Sequence, residues 1–356
     1  MSEAIAFPAG EDDLTAAWFG QALARRFPGV EVAGARIIQR IGGTALKLRF
    51  HLDYASATGP EGPPQTLWVK GGFETGAVNQ GDAFVNEVLF YRDLAPRLGI
   101  NLPDVYFGAV DAATNNGVIL LEDLIARGAS FGRADRPLSP DEAAATLAMQ
   151  ARYHARYWND PALTAIPWLK AGGSIAGTGM VEQYFAGFWD AAGALPRFQW
   201  VTASQCDKDR LREALVGLSA GDAAGAHCLV HGDSHCANLF FDADGAPGYL
   251  DWQHVMRGHW AFDVANLLVT GLTVADRRAH ERALLAGYRT ALTAHGVAPP
   301  PFETMFDGYA AHALWSFMWA MCPVSAHPEE VCMLNTERAC AAIEDLGSVA
   351  LAETFT

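Results

Sequence analysis

Asp233, Asn238 and Asp251 are three oxygen-bearing side chains within one stretch, residues 229–253, LVHGDSHCANLFFDADGAPGYLDWQ. Phosphoryl transfer asks a protein for positioning and charge neutralisation more than for covalent chemistry, and these residue types suit that demand. A carboxylate must orient the attacking hydroxyl and accept its proton, and Asp233 is the candidate. Mg²⁺ takes hard oxygen ligands, usually one or two from the protein with the remainder from phosphates and water; Asn238 and Asp251 can supply them. Leu229 and Val230 read as the end of a buried strand, and Leu239–Phe241 and Tyr249–Leu250 as two further short strands. The turn chemistry of Asp242-Ala243-Asp244-Gly245 joins the last two, with Gly245 able to take a positive φ. A β-hairpin of this kind would hold the three side chains near one mouth.

His231-Gly232-Asp233-Ser234-His235-Cys236-Ala237-Asn238 resembles the HGDxHxxN loop of the aminoglycoside phosphotransferase and choline kinase superfamily, and Leu250-Asp251-Trp252 resembles that superfamily's replacement for the kinase DFG segment. The aspartate of Phe262-Asp263-Val264-Ala265 follows as it does there, and within the superfamily the pattern is most similar to the ecdysteroid-kinase-like branch. The resemblance implies an α+β, two-lobed protein-kinase-like fold with a small antiparallel-sheet N-lobe and a larger, mainly helical C-lobe. It implies ATP between the lobes, Mg²⁺ as the metal and a small-molecule hydroxyl as acceptor. His231 and His235 are then expected to fix the loop rather than to act in the chemistry. Asp263, a good N-cap for the following VANLLVTGL, would also brace the loop. A rival for the same stretch is zinc, since His227, Cys228, His231, Asp233, His235 and Cys236 crowd together. Zinc sites usually present two ligand pairs at regular spacing, and this chain has no CxxC and no distant partner pair.

The elements that must carry these groups can be read around them. Acids at 11–13, an apolar helical pattern and Arg25-Arg26 predict a first helix oriented with its dipole. Ala35–Arg40, Leu46–Leu52 and Thr66–Lys70 read as strands, the second with a period of two. Between the first two lie Gly42 and Gly43, a turn that can bring backbone N–H groups to phosphates or be a plain hairpin turn. Lys70, ending an apolar strand, is placed to reach phosphates, and Glu87, on a helix within Gly81–Arg97, is expected to pair with it as in kinase-like enzymes. Pro103–Val110 and Gly117–Leu121 are two more strands. By the resemblance, Leu121, Glu122 and Asp123 form the hinge whose backbone meets adenine, although the two acids could equally cap. The domain reading is a nucleotide-binding lobe over 1–124 and a catalytic and substrate-binding lobe over 125–356.

Beyond the hinge, Ser139, Pro140 and Glu142 form a capping box opening a long helix that carries His154, expected to be a satisfied buried histidine. AGGSIAGTG (171–179) reads as a flexible loop, Met180–Ala192 as an aromatic helix, Asp276–His295 as an amphipathic one, and Tyr309–Cys322 as a dense aromatic helix that packs the core or lines the acceptor site.

Composition sets the outer bounds. With 51% hydrophobic and 18% charged residues, the 356-residue chain is globular. A net charge of −15 argues against nucleic acid and anionic membranes as partners. The six cysteines show no framework spacing, the N-terminus lacks signal-peptide features, and the longest apolar run is too short for a bilayer, so a cytoplasmic protein is expected. The function expected is ATP- and Mg²⁺-dependent phosphorylation of a small-molecule hydroxyl, with a catalytically silent nucleotide-binding protein of the same fold as the alternative. A protein kinase fits less well, because Gln253 stands where DFG has glycine and no APE segment follows.

Overall fold

The computed structural model describes residues 5–42, 45–56, 62–73, 82–172, 178–225 and 228–355. The chain divides into two compact units, Met1–Pro96 with Leu102–Ala129, and Arg97–Asn101 with Ser130–Thr356. The division expected after residue 124 thus falls between Ala129 and Ser130, and Arg97–Asn101 belongs with the second unit.

The first unit begins with α1 (Ala16–Leu23), whose N-cap Thr15 accepts from the Trp18 N–H. Its buried residues Trp18, Phe19, Ala22 and Leu23 share one helical face, which packs on the sheet. The sheet comprises β1 (Glu31–Ile41), β2 (Leu46–Ser56), β3 (Thr66–Gly71), β4 (Val105–Asp111) and β5 (Asn116–Glu122), with α2 (Ala83–Asp93) between β3 and β4 in the chain. It is antiparallel throughout, in the order β1-β2-β3-β5-β4. Alternation along β2 sends Leu48, Phe50 and Leu52 into the core with Leu67 and Val69 of β3. Each such side chain contributes roughly 1.5–3 kcal/mol when fully buried. The unit closes with α3 (Leu124–Arg127).

In the second unit, β6 (Ser130–Phe131) joins β8 (Leu239–Phe241) and β9 (Pro247–Tyr249) in a three-stranded sheet, while β7 (Cys228–Val230) pairs with β10 (Met256–Gly258). The helices are α4 (Pro140–Arg156), α5 (Pro161–Thr164), α6 (Thr178–Gly187), α7 (Trp189–Gly193), α8 (Lys208–Ala224), α9 (Ala261–Gly271), α10 (Val274–Ala294), α11 (Phe302–His312), α12 (Glu329–Leu346) and α13 (Ser348–Ala352). The capping box of Ser139 and Glu142 opens α4. Every residue of α9 except Asn266 is buried, the mark of a central helix rather than a surface one. Among the described residues no helix is long and apolar enough to cross a membrane.

Three element readings differ from the structure. The run 309–322 is not one helix: α11 ends at His312, whose side chain donates from Nδ1 to the Gly308 carbonyl at 2.7 Å, and Ala313–Trp319 continues as 3₁₀. Met180–Ala192 is split after Gly187, a weak helix former. Asp263 does not cap α9; Trp260 does, and Asp263 is the third residue of the helix, fully buried. The loop expected over 171–179 lies largely outside the described residues.

Candidate functional site

The loop 231–238 leaves β7, turns beneath α9 and enters the β8–β9 hairpin, which turns at Gly245. A loop that turns this tightly inside a protein presents backbone N–H groups that need acceptors, and one face of α9 supplies them. The Asp263 carboxylate accepts from the His231 N–H at 2.7 Å and the Gly232 N–H at 3.1 Å. Asn266, with its amide oxygen turned to the loop, accepts from Ser234 and His235 N–H at 3.2 and 3.3 Å. Thr270 Oγ1 accepts from the Cys236 N–H at 3.4 Å. Positions 263, 266 and 270 recur at helical spacing, so a rigid helix serves as the template for the loop's backbone.

Asp263 is itself held from the other side by α4. Tyr153 Oη donates to Oδ2 at 2.6 Å, and His154 Nε2 lies 3.3 Å from the same oxygen, its Nδ1 accepting from Tyr288 Oη at 2.8 Å. Burial pushes the carboxyl of Asp263 up, but bonds and charge from His154, His231 and Tyr153 outweigh it and leave the group below its ordinary value. Burial lowers His154 and His231 from their ordinary value, against the pull of the Asp263 carboxylate. Thus a buried carboxylate surrounded by donors anchors the loop.

Asp233 is partly exposed at the end of this scaffold. Asn238 Nδ2 donates to its carbonyl at 2.8 Å and to its Oδ2 at 3.1 Å. The Asn238 carbonyl accepts from the Leu250 N–H, and the Leu250 carbonyl lies 2.8 Å from His231 Nε2. Asp251 therefore follows a residue tied twice to the loop, and it holds a left-handed backbone, φ 63°. His231 Nδ1 accepts from the Asp233 N–H and His235 Nδ1 from the Ala237 N–H, both at 3.2 Å. His235 Nε2 stands 3.6 Å from Asp233 Oδ2, beyond hydrogen-bonding range. Gly232 is required twice over, by φ 83° and because a Cβ would stand 2.2 Å from the His254 carbonyl oxygen.

The donor set fits Mg²⁺. Asn238 and Asp251 offer hard oxygen donors, and the bonds from Nδ2 to Asp233 leave Asn238 its amide oxygen for a cation. Among the described residues, one grouping of His, Cys, Asp and Glu brings its ligand atoms within 4.8 Å, and it is Asp222, His259 and His312, outside the 227–236 crowd. The rings of His259 and His312 stack 4.6 Å apart at 15°. Both ring nitrogens of His312 are engaged within the fold, Nδ1 with the Gly308 carbonyl and Nε2 with the Asp222 carboxylate at 3.0 Å.

In the first unit, Lys70 Nζ lies 2.7 Å from Glu87 Oε2, with both side chains buried. The alternative neighbour of Glu87, Arg92, pairs with Asp93 instead. The side chains of Glu122 and Asp123 are committed elsewhere. Glu122 takes the Asp104 N–H and Arg127, while Asp123 caps α3 and receives Arg49 and the Trp68 Nε1–H. Leu121 is buried in β5, Gly42 is exposed beyond β1, and Gly43 lies outside the described residues.

Several contributors carry no motif. Gln150 Nε2 donates to Tyr249 Oη at 2.9 Å, and Tyr249 Oη donates to the Ser234 carbonyl at 3.2 Å. The detectable signal was Gln150, Tyr153 and His154 at i, i+3 and i+4, a polar row on the buried face of the helix. A wall of rings extends from His235 through Trp319 at 5.3 Å to His327 at 5.0 Å.

The family model described as "Uncharacterized oxidoreductase dhs-27" matches residues 221–345, about a third of the chain, which include Asp233, Asn238, Asp251 and Asp263. An uncharacterized kinase-like protein of Caenorhabditis elegans is 30% identical over 87 residues, 24% of this chain and 23% of that protein. The match with this curated relative therefore spans less than a quarter of its length. Among solved structures, LicA in complex with AMP is similar with a TM-score of 0.50 and 15% identity, over 93% of this chain and 97% of that one. A choline/ethanolamine kinase family protein from Mesorhizobium loti is similar with a TM-score of 0.49 and 18% identity, over 89% of this chain and 92% of that one. At these identities the likeness is one of fold: a two-lobed, protein-kinase-like α+β protein with a small antiparallel-sheet N-lobe and a larger, mainly helical C-lobe.

Proposed function

With the kinase-like fold as premise, we propose that the chain is an ATP- and Mg²⁺-dependent small-molecule phosphotransferase acting on a hydroxyl. The observation that carries this reading is the Asp233–Asn238 pair, hydrogen-bonded at 3.1 Å on a loop whose backbone is fixed by α9. Asp233 orients the acceptor hydroxyl and takes its proton as the oxygen attacks the γ-phosphorus and the bond to the bridging oxygen breaks, releasing ADP. A positioned general base of this kind contributes about 10²–10⁴-fold. Mg²⁺, held by Asn238 and Asp251, would supply neutralisation of phosphate charge. Lys70, oriented by Glu87, contacts the phosphates, and the backbone at Leu121–Asp123 meets the adenine.

The oxidoreductase description of the matching family gains no support from the segment it covers. Among the described residues the sheets there are short and antiparallel, without the parallel strand–helix units that dinucleotide sites are built on. For the acceptor, the ring wall of Trp319 and His327 beside His235 favours an apolar or aromatic alcohol. Trp319→Ala is expected to raise the acceptor KM with less effect on that for ATP.

The deciding experiment measures ADP release with Mg²⁺ and ATP over a panel of small alcohols, amino alcohols, aminoglycosides and sterols, with Asp233→Asn as control. Turnover lost in that variant while ATP still binds is the expected result. Full turnover by Asp233→Asn would remove Asp233 from the chemistry. Nucleotide binding without turnover on any acceptor would favour a silent nucleotide-binding protein.

A further inference from the structure

Helix α4 has two functional faces. Tyr153 and His154 point inward to Asp263, whereas Arg152 and Arg156, one turn apart, are exposed. With Arg97, Gly99 and His295 they line an open cavity of about 290 Å³ within the second unit.

Charge makes this cavity unusual. The chain carries −15 overall, and elsewhere its arginines are commonly matched to carboxylates: Arg49 to Asp123, Arg127 to Glu122, Arg210 to Glu353, Arg278 to Asp345. Among the described residues, Arg97, Arg152 and Arg156 have no carboxylate within ion-pairing distance. Helix dipoles account for only part of the cluster. Arg156 ends α4 and His295 follows α10, where positive charge is favourable; Arg152 lies a turn earlier and Arg97 comes from a separate segment. Arg156 is further fixed with its guanidinium 4.9 Å over the Tyr157 ring. Gly99, at φ 60°, lets the chain approach Arg152 closely, since a Cβ there would stand 3.0 Å from Arg152 Nη2. Three like charges gathered round one concavity repel one another unless an anion joins them.

We propose that this cavity is a second, non-catalytic site that binds a phosphate group, either inorganic phosphate or the phosphate of a small monoester. Planar guanidinium forks match the terminal oxygens of a phosphate in bidentate fashion, and a dianion answers several guanidiniums better than a single carboxylate does. No residue of the catalytic loop takes part, so the site stands whether or not the chain transfers phosphoryl groups.

The test is calorimetric titration of the full chain with inorganic phosphate and, separately, phenyl phosphate, with acetate as the carboxylate control. Each is run with and without a saturating non-hydrolysable ATP analogue. Saturable one-to-one phosphate binding is expected, unaffected by the analogue and weakened about tenfold or more in Arg152→Ala/Arg156→Ala, in line with the loss of charged hydrogen bonds. Arg278→Ala, a distant surface control, should leave it unchanged. Tighter binding of phenyl phosphate would identify the monoester as the ligand, and equal binding the free ion. If the double variant does not fold, Arg97→Gln alone should weaken binding. Absence of saturable binding, binding unchanged in the variants, acetate binding as well as phosphate, or loss of binding with the analogue would each overturn the proposal.

Discussion

Asp251 combines a carboxylate with a left-handed backbone, φ 63°, a conformation that costs an ordinary L-residue roughly 1–2 kcal/mol and an aspartate less. The strain and the chemistry can be separated by substitution. Asp251→Ala and Asp251→Gly should both lose metal-dependent nucleotide binding. The glycine variant should nonetheless be the more stable of the two by about 1 kcal/mol, as read by chemical denaturation. Equal stability would mean that the backbone relaxes once the carboxylate is gone. Gly232→Ala meets both a positive φ and the His254 carbonyl at 2.2 Å, and should be destabilised by more than the 1–2 kcal/mol of the backbone term alone. The contact of Asn238 with Asp233 was legible in the sequence, because the loop motif fixes their spacing. What Gly232 avoids was not, because the obstructing carbonyl lies far along the chain and only folding brings it near.

Helix α9 converts a sequence pattern of Asp263, Asn266 and Thr270 into acceptors for five backbone donors of the loop. Asn266→Ala leaves two N–H groups without this acceptor and should cost about 1–3 kcal/mol, with a fall in kcat larger than any change in the KM for ATP. If kcat is unchanged, the loop does not depend on α9 for its shape. Asp263→Asn replaces an acceptor-only group by one that also donates, among neighbours that are themselves donors. Breaking such a buried charged network costs about 3–5 kcal/mol, and a thermal melt would show it. At this scale the sequence misled in two respects. Of the two roles expected for Asp263, the cap falls to Trp260, whereas the bracing of the loop implied by the family resemblance is present in its bonds to the His231 and Gly232 N–H groups. Local capping rules cannot register a demand made by a distant loop. The aromatic run 309–322 misled similarly, since hydrophobicity continues through the change from α to 3₁₀ geometry at His312.

For the molecule as a whole, pH is the informative variable. His154 and His231 are held below their ordinary 6.5 by burial, so on acidification the unfolded chain takes up protons first. Asp263, held low, contributes stability above the ordinary carboxyl value that is lost as pH falls through its folded value. All three act in one direction: Tm should be nearly level at pH 7–8, decline below about pH 6.5 and fall more steeply where carboxylates titrate. A Tm that stays constant down to pH 5 would show that the histidines protonate freely in the folded state. The five strands were readable one by one as apolar runs bounded by turns, while the two-lobed arrangement was legible through the family resemblance of the loop motif. Arg97–Asn101 was read as part of the first unit, yet it docks on the second through the Asn101–Gly248 bridge and the bond from Asn101 Nδ2 to Asp242 Oδ2. No local pattern announces such a contact.

The pairing of β7 with β10, Met256 opposite Val230 and Gly258 opposite Cys228, closes a neck below the whole excursion that carries Asp233, Asn238 and Asp251. With the α9 contacts, this pairing makes the excursion one contiguous packed unit, and such units tend to open together in hydrogen exchange. The three oxygens would then vanish together in one sub-global fluctuation instead of fraying one by one. A substitution that loosens the neck should lower the protection of the whole excursion together, as read by hydrogen exchange.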